Sequence, residues 1–401
     1  MRSDPGRLEF KIDARDGAAR AGRLRTAHGE VETPAFIPLA TRGSVRSLDA
    51  ADLDGLGYRM LLGNTFHLFL TPGAERIARL GGLHRFMGWD RAIISDSGGF
   101  QVFSLAHGSV ADEIKGRRGS SGTSGSVLEI SEQGVRFRSY LDGSERFLGP
   151  EESMSVQAAL GSDIALAFDE CTPFHADRDY TARSTERTHR WLERCLGWHE
   201  EKGPERQAVF GIVQGGVHED LRRESAQTVA ALGVDGIAIG GTLGEDKPQM
   251  YAVLDMTVAH LEPDAPKHLL GIGEPDDLVE GIARGIDLFD CAVPTRLARH
   301  GTALAPLPEG RFRLDLRKAA LAEDDGPLVE GCPCPACSSH SRAYLHYLCR
   351  ERELTGVRLL CLHNLAYLKA LTAAAREAIR STRFEAYRRA VSDGATPWDL
   401  P

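Results

Sequence analysis

Short apolar runs recur along this chain, each closing on a glycine or a polar residue, and helix-like stretches separate many of them. The runs are YRMLLGNTF from Tyr58, AIISDSGG from Ala92, DIALAFDE from Asp163, AVFGIVQGG from Ala208, GIAIGGTLGE from Gly236, HLLGIGEP from His268 and GIDLFDCAVP from Gly285. Apolar residues at successive positions, instead of alternate ones, suit parallel strands covered on both faces. Helices are predicted in ARSTERTHRWLERCLGWHEEK from Ala182 and in PDDLVEGIARG, which carries Pro275 near its start and Gly285 at its end. Strands and helices alternating in this way predict an α/β fold, an eight-fold β/α (TIM) barrel, with the eighth strand in TPAFIPLA or GTALAPL. An open doubly wound sheet is the competing arrangement. In a barrel the C-terminal strand ends form the catalytic face. Asn64, Asp96, Asp169, Gln214, Gly241 and Asp290 all follow directly on apolar runs, and packing alone does not require them there.

Other stretches break the alternation. Residues 107–126, HGSVADEIKGRRGSSGTSGS, read as an insertion ending in a Gly/Ser-rich tract. A spacer is the plain reading of it, and a cap over the site the functional one. A β-hairpin is expected next, in LEISEQGVRFRSYL with Asp142-Gly143 at a turn. From Gly326 the composition shifts to a cysteine cluster, and a helical tail is expected from Ala343 to about Val391. This predicts a barrel domain over 1–325 and a metal-binding helical subdomain over 326–401.

Composition narrows the class. With 42% hydrophobic and 26% charged residues among 401, the chain reads as globular. No apolar run approaches the length of a membrane span, and MRSDPGRLEF lacks a signal-peptide core, so a cytoplasmic location is expected. The net charge of −9 argues against non-specific coating of nucleic acid but leaves room for a local basic surface.

Of eight cysteines, Cys332, Cys334 and Cys337 fall in GCPCPACSSH as C-x-C-x2-C. Three thiolates this close can hold one tetrahedral zinc, given a fourth ligand. His340, His346, Cys349, Cys361 and His363 are the candidates. Such a site leaves no open position for water, so a structural metal is expected.

Asp96 in SDSGGFQ, Asp169 in FDECTPF and Asp290 in DLFDCAVPTR could each be a helix-capping or turn acid. Three of them at strand ends of one barrel make that reading poorer. These motifs resemble a family. NTFHL, SDSGGFQVFSL, GVRFRSYLDGS, ALGSDIALAFDEC, FGIVQGG, GIAIGG, LLGIGEP, DLFDCAVPTR, the cysteine cluster and HNL are similar to those of bacterial queuine tRNA-ribosyltransferase, also called tRNA-guanine transglycosylase. The resemblance spans Leu8 to Ala390. It implies a barrel with a zinc subdomain that exchanges the wobble guanine of tRNAs with a GUN anticodon for a 7-deazaguanine. It implies Asp290 as nucleophile and Asp96 as general acid/base. Asp96, Ser97, Gly98, Gly99, Phe100, Asp169, Gln214 and Gly241 are then the residues around the base. Gly271, Ile272, Gly273, Glu274, Pro275, Asp276 and Asp277, with Thr295, Arg296, Leu297, Ala298 and Arg299, match RNA-contacting segments. Cys332, Cys334, Cys337 and His363 match the ligands of one structural Zn2+, and a homodimer is implied as well.

That chemistry accounts for the residue types. Exchange on one sugar face takes two inversions, hence a covalent sugar–carboxylate intermediate. A second acid must protonate the departing base and deprotonate the incoming one. The target nucleotide must leave the anticodon stack, and Phe100 offers a face for a base. Basic residues at 183, 187, 190 and 194 share one helix face and read as solvent-exposed or acid-paired. REAIRSTRFEAYRR near the C-terminus reads either as a phosphate contact or as a solvated face. One departure concerns specificity: GGTLGE, Gly240 to Glu245, is one residue shorter than the GGLSVGE common in the family. The expected incoming base is 7-aminomethyl-7-deazaguanine, with queuine the rival. Other rivals are an archaeosine-type enzyme, a non-catalytic partner subunit lacking the nucleophile, and a zinc hydrolase with an open metal position.

Overall fold

The computed structural model describes residues 7–106, 127–172 and 175–399. The insertion predicted at 107–126 lies outside the described residues. The chain opens on an antiparallel sheet of β1 (Glu9–Asp16), β2 (Ala19–Thr26) and β3 (Gly29–Thr33). A closed parallel barrel follows. Its strands are β4 (Ala35–Ala40), β5 (Met60–Gly63) and β6 (Ala92–Ser95), then, after the inserted sheet, β10 (Ile164–Leu166), β11 (Ala208–Val213), β12 (Gly236–Ile239), β13 (Lys267–Leu269) and β14 (Leu288–Cys291). β14 closes on β4, with Asp290 opposite Ile37. All seven apolar runs supply barrel strands, and TPAFIPLA supplies the eighth. GTALAPL instead forms β15 (Thr302–Leu304), paired with β16 (Arg313–Asp315).

Burial on both faces explains why the runs lack alternation. Successive strand residues fall into two separate clusters. Ile37, Met60, Leu62, Ile94, Ile164, Phe210 and Leu288 fill the barrel, while Leu61, Ile93, Val209, Ile237, Leu269 and Phe289 pack outward. Leu24 and Val31, from the N-terminal sheet, belong to the interior cluster, so that sheet plugs the barrel's foot.

Two buried acids fasten the plug. Asp287 takes a bidentate pair from Arg20, at 2.8 and 2.5 Å, and accepts the Lys267 amide at 2.7 Å. Asp163 accepts the Ile93 amide at 2.8 Å and His28 Nδ1 at 2.8 Å, with His84 Nε2 3.3 Å away. This His2Asp group is a poor metal site. The two imidazoles stack with centroids 3.7 Å apart and planes 20° from parallel, so an ion about 2 Å from both nitrogens would lie far out of both ring planes. It is a hydrogen-bonded staple.

The predicted hairpin extends to a three-stranded antiparallel sheet. It comprises β7 (Val127–Ile130), β8 (Val135–Arg138) and β9 (Glu145–Leu148), with Asp142-Gly143 in the second turn. Three residues of the basic helix face are acid-paired, Arg187 with Glu170 and Glu132, Arg190 with Glu132, and Arg194 with Glu151, while Arg183 lies over the Tyr180 ring. In the C-terminal stretch, Arg376 donates to Pro34 O at 2.8 Å, Arg380 pairs with Glu32 and Arg388 with Glu280. These arginines fasten the tail to the barrel. The tail is helical as expected, at Arg342–Glu351, Leu354–Arg380 and Phe384–Ser392.

Candidate active site

The barrel's C-terminal end gathers the expected side chains. Asp169, Ser97 and Gln214 interlock: Ser97 Oγ donates to Asp169 Oδ1 at 2.8 Å, and Gln214 Nε2 to Oδ2 at 2.7 Å. Gln214 Oε1 is buried without a hydrogen-bond partner among the described residues, which leaves an acceptor free. Burial raises the Asp169 carboxyl to about 6, against the two donors that lower it. Two glycines are needed for close approach. A Cβ at Gly99 would lie 2.5 Å from Asp169 O, and one at Gly241, where φ is +76°, would lie 2.2 Å from Gln214 Oε1. Phe100 follows Gly99 and is 40% exposed, so its ring is available to stack.

The loop at Gly241 is held from below. Arg222 is buried without an acid partner among the described residues and donates to the carbonyls of Gly216, Val213, Gly240 and Thr242. Burial lowers its guanidinium to about 10. At the loop's far end, Gln249 accepts the Glu245 amide at 2.8 Å.

Asp96 ends β6. Its carboxylate accepts the Thr65 amide at 2.8 Å, Asn64 Nδ2 at 2.5 Å and Gln101 Nε2 at 3.2 Å. Burial is the main force raising this carboxyl to about 7, and the negative charge of Asp290 adds to it. The two acids therefore share one electrostatic site. Asp290 is almost fully buried, and its Oδ1 receives the Gly271 amide at 3.4 Å. No hydrogen bond reaches Oδ2 among the described residues. His268, unmarked in the sequence reading, lies with Nε2 2.9 Å from Asp290 Oδ1.

The two segments expected from sequence to contact RNA differ. In Gly271–Asp277 the acids are already engaged: Glu274 by Arg313, Asp276 and Asp277 by Lys247, and Asp277 also by Tyr251. Pro275 opens the helix Pro275–Ala283. In the helix Val293–Arg299, Arg296 and Arg299 are exposed and form no ion pair among the described residues. Burial, then the charges of Arg46 and Arg296, hold the Arg299 guanidinium below its usual range. Arg46, absent from the sequence reading, thus joins a basic patch with Arg296 and Arg299 that has no ion pair among the described residues.

The cysteine cluster closes on one of its five candidate partners. His363 Nδ1 lies 3.7, 3.5 and 3.3 Å from the sulfurs of Cys332, Cys334 and Cys337. Tetrahedral bonds of about 2.3 Å to sulfur and 2.05 Å to nitrogen imply S–N edges of about 3.6 Å. His363 Nε2 donates to Leu304 O at 2.8 Å, leaving the Nδ1 lone pair facing the sulfurs. His346 is spent on Leu316 O.

Residues 15–396 match the sequence model of the family described as queuine tRNA-ribosyltransferase. The chain belongs to that family. Curated relatives carry the same name. One from Roseiflexus sp. (strain RS-1) is 53% identical over 388 residues, covering 94% of this chain and 97% of the relative. One from Pelotomaculum thermopropionicum is 47% identical, covering 95% and 97%, and one from Solidesulfovibrio magneticus 46%, covering 94% and 95%. No helix among this family member's described residues is long and apolar enough to cross a membrane.

Proposed function

We propose that this transglycosylase replaces the wobble guanine of GUN-anticodon tRNAs by 7-aminomethyl-7-deazaguanine, in the queuosine pathway, through an ester between Asp290 and the ribose. The observation that carries the reading is the pairing of two acids in one electrostatic site: Asp96 held near neutrality and Asp290 with one oxygen free. Asp290 Oδ2 attacks C1′ while protonated Asp96 gives its proton to the departing guanine. The incoming base then yields its ring N–H proton to the Asp96 carboxylate, attacks C1′ from the vacated face and releases Asp290. Two inversions return the original configuration.

Charge couples the half-reactions. Ester formation removes the Asp290 charge, one of the causes raising the Asp96 carboxyl. Asp96 then favours the carboxylate form, the base that the second half-reaction needs. Ester formation requires protonated Asp96, so its single-turnover rate is expected to fall as pH rises through about 7. Base capture requires the carboxylate and is expected to weaken as pH falls, with an apparent pKa below that of the first step. Rapid-quench measurement of each half-reaction across pH checks this; parallel profiles would sink the shuttle.

Ser97, Gly98, Gly99, Phe100, Asp169, Gln214 and Gly241 seat the base in this reading, with Asp169 accepting its amino and ring N–H groups. Asp96, Asp169 and Asp290 have no Lys or Arg partner among the described residues, which suits a base bearing an ammonium. The loop after Gly241, pinned by Arg222 and Gln249, favours the compact aminomethyl substituent over the bulkier queuine. Competition of the two bases for guanine-labelled tRNA tests the choice: aminomethyl base is expected to win, and a clear preference for queuine reverses it. Arg46, Arg296 and Arg299 suit the anticodon phosphates, and Gly271–Asp277 would contribute mainly backbone. Cys332, Cys334, Cys337 and His363 would hold one zinc, which supplies folding energy and leaves no position for a reacting water. A cytoplasmic homodimer completes the reading.

A further inference from the structure

Below its mouth the barrel is filled by an apolar cluster, and among the described residues His268 breaks into it. His268 pairs in register with Ala238 on one side and Leu288 on the other. Both neighbours lie in the interior cluster, so the imidazole points into the barrel, fully buried beneath the site. The same interior cluster also holds Ala35, Leu62, Ile94 and Ile212. Packing therefore calls for an aliphatic side chain at 268. Instead a polar ring stands 2.9 Å from Asp290 Oδ1, and neither of its nitrogens has an aligned hydrogen bond among the described residues. A buried donor left misaligned costs folding free energy, and such contacts often tighten only when the substrate is bound.

We propose that His268 is a positioning residue for the nucleophile: with the Gly271 amide it holds Asp290 Oδ1, so that Oδ2 is turned toward the ribose. The two donors converge on one oxygen and leave the other without a hydrogen bond among the described residues. A carboxylate gripped at one oxygen has a fixed attack direction. Released, it rotates about its Cβ–Cγ bond and spreads the reactive oxygen over orientations that do not lead to the ester. A neutral imidazole donating from Nε2 fits best, because ester formation then leaves no unpaired cation in the barrel. The inference rests on Asp290 being the nucleophile.

The test is single-turnover trapping of the enzyme–tRNA ester on denaturing gels, with tRNA Kd and base KM measured alongside. His268→Leu fills the space without a donor, and His268→Gln restores a donor near the Nε2 position. Leucine is expected to slow ester formation on the order of 10²-fold, the scale of a misplaced reacting group, with Kd and KM within about twofold. Glutamine is expected to recover a large part of the rate. Ester formation at the wild-type rate in the leucine variant, or equal loss in both variants at unchanged thermal midpoint, overturns the proposal. Should the leucine variant not fold, His268→Met takes its place in the same comparison. Asp290→Asn separates the two readings: an ester trapped there removes the nucleophile assignment itself, whereas no ester there with full rate in His268→Leu removes only the role of His268.

Discussion

Asp290→Asn is expected to abolish the covalent enzyme–tRNA adduct and to lower the exchange rate by at least about 10⁴-fold, the scale on which removal of a covalent nucleophile registers. Asparagine keeps the shape of aspartate and can still accept the Gly271 amide through its carbonyl oxygen, so the fold should not change. Its amide does not form the glycosyl ester. Binding of tRNA should persist, because the basic patch at Arg46, Arg296 and Arg299 is untouched. The variant also carries a second readout. The Asp290 charge is one cause raising Asp96 toward about 7, so its removal should move the Asp96 carboxyl down. Carbon-detected NMR of the aspartate carboxyls would follow that shift. Adduct formation at the wild-type rate would assign the nucleophile elsewhere, and an Asp96 titration unchanged by the substitution would remove the coupling between half-reactions.

The barrel was legible because burial on both faces writes a distinctive pattern, an apolar run closed by a polar residue or glycine. Asp96, Asp169, Gln214 and Asp290 could be picked out because they sit where those runs stop. The residues that escaped are those whose partners are distant in sequence. Arg20 and Asp287 lie 267 positions apart, and the N-terminal sheet that Arg20 anchors has a mixed pattern, since only part of it faces the barrel. His268 was hidden for another reason. It opens HLLGIGEP, where a histidine reads as the polar edge of a strand, and only the register with Ala238 and Leu288 shows that it points inward. The inserted sheet gained β9 because SERFLG offers few apolar positions to mark a strand. The three thiols had five candidate partners in sequence. The structure brings one of them to the cluster: on Leu354–Arg380 the His363 side chain faces the cysteine loop, while its second nitrogen is tied to Leu304.

That arrangement makes metal removal the other large perturbation. A strong chelator, or Cys334→Ser, is expected to unfold the cysteine loop and loosen the helix Leu354–Arg380. Metal analysis should find one zinc per chain before treatment. The magnitude follows from scale: structural zinc sites in small peptides bind with about 10–16 kcal/mol, against a typical folding stability of about 5–15 kcal/mol. The alternative state is also poor, since Cys332 and Cys334 are buried beside a fully buried imidazole. The damage should reach the active site. Asn364, next to His363, accepts the Leu304 amide at 2.7 Å and donates to Pro294 O at 2.9 Å and Thr302 O at 3.1 Å. Pro294 lies four residues after Asp290, in the helix carrying Arg296 and Arg299. Loss of the metal should therefore raise hydrogen exchange across 293–304 and 332–365 together and reduce ester formation before the barrel melts. A chelated protein that keeps its thermal midpoint and its activity would show that the thiolates hold no structural ion. Exchange confined to the cysteine loop would show that the metal site and the nucleophile's helix are independent.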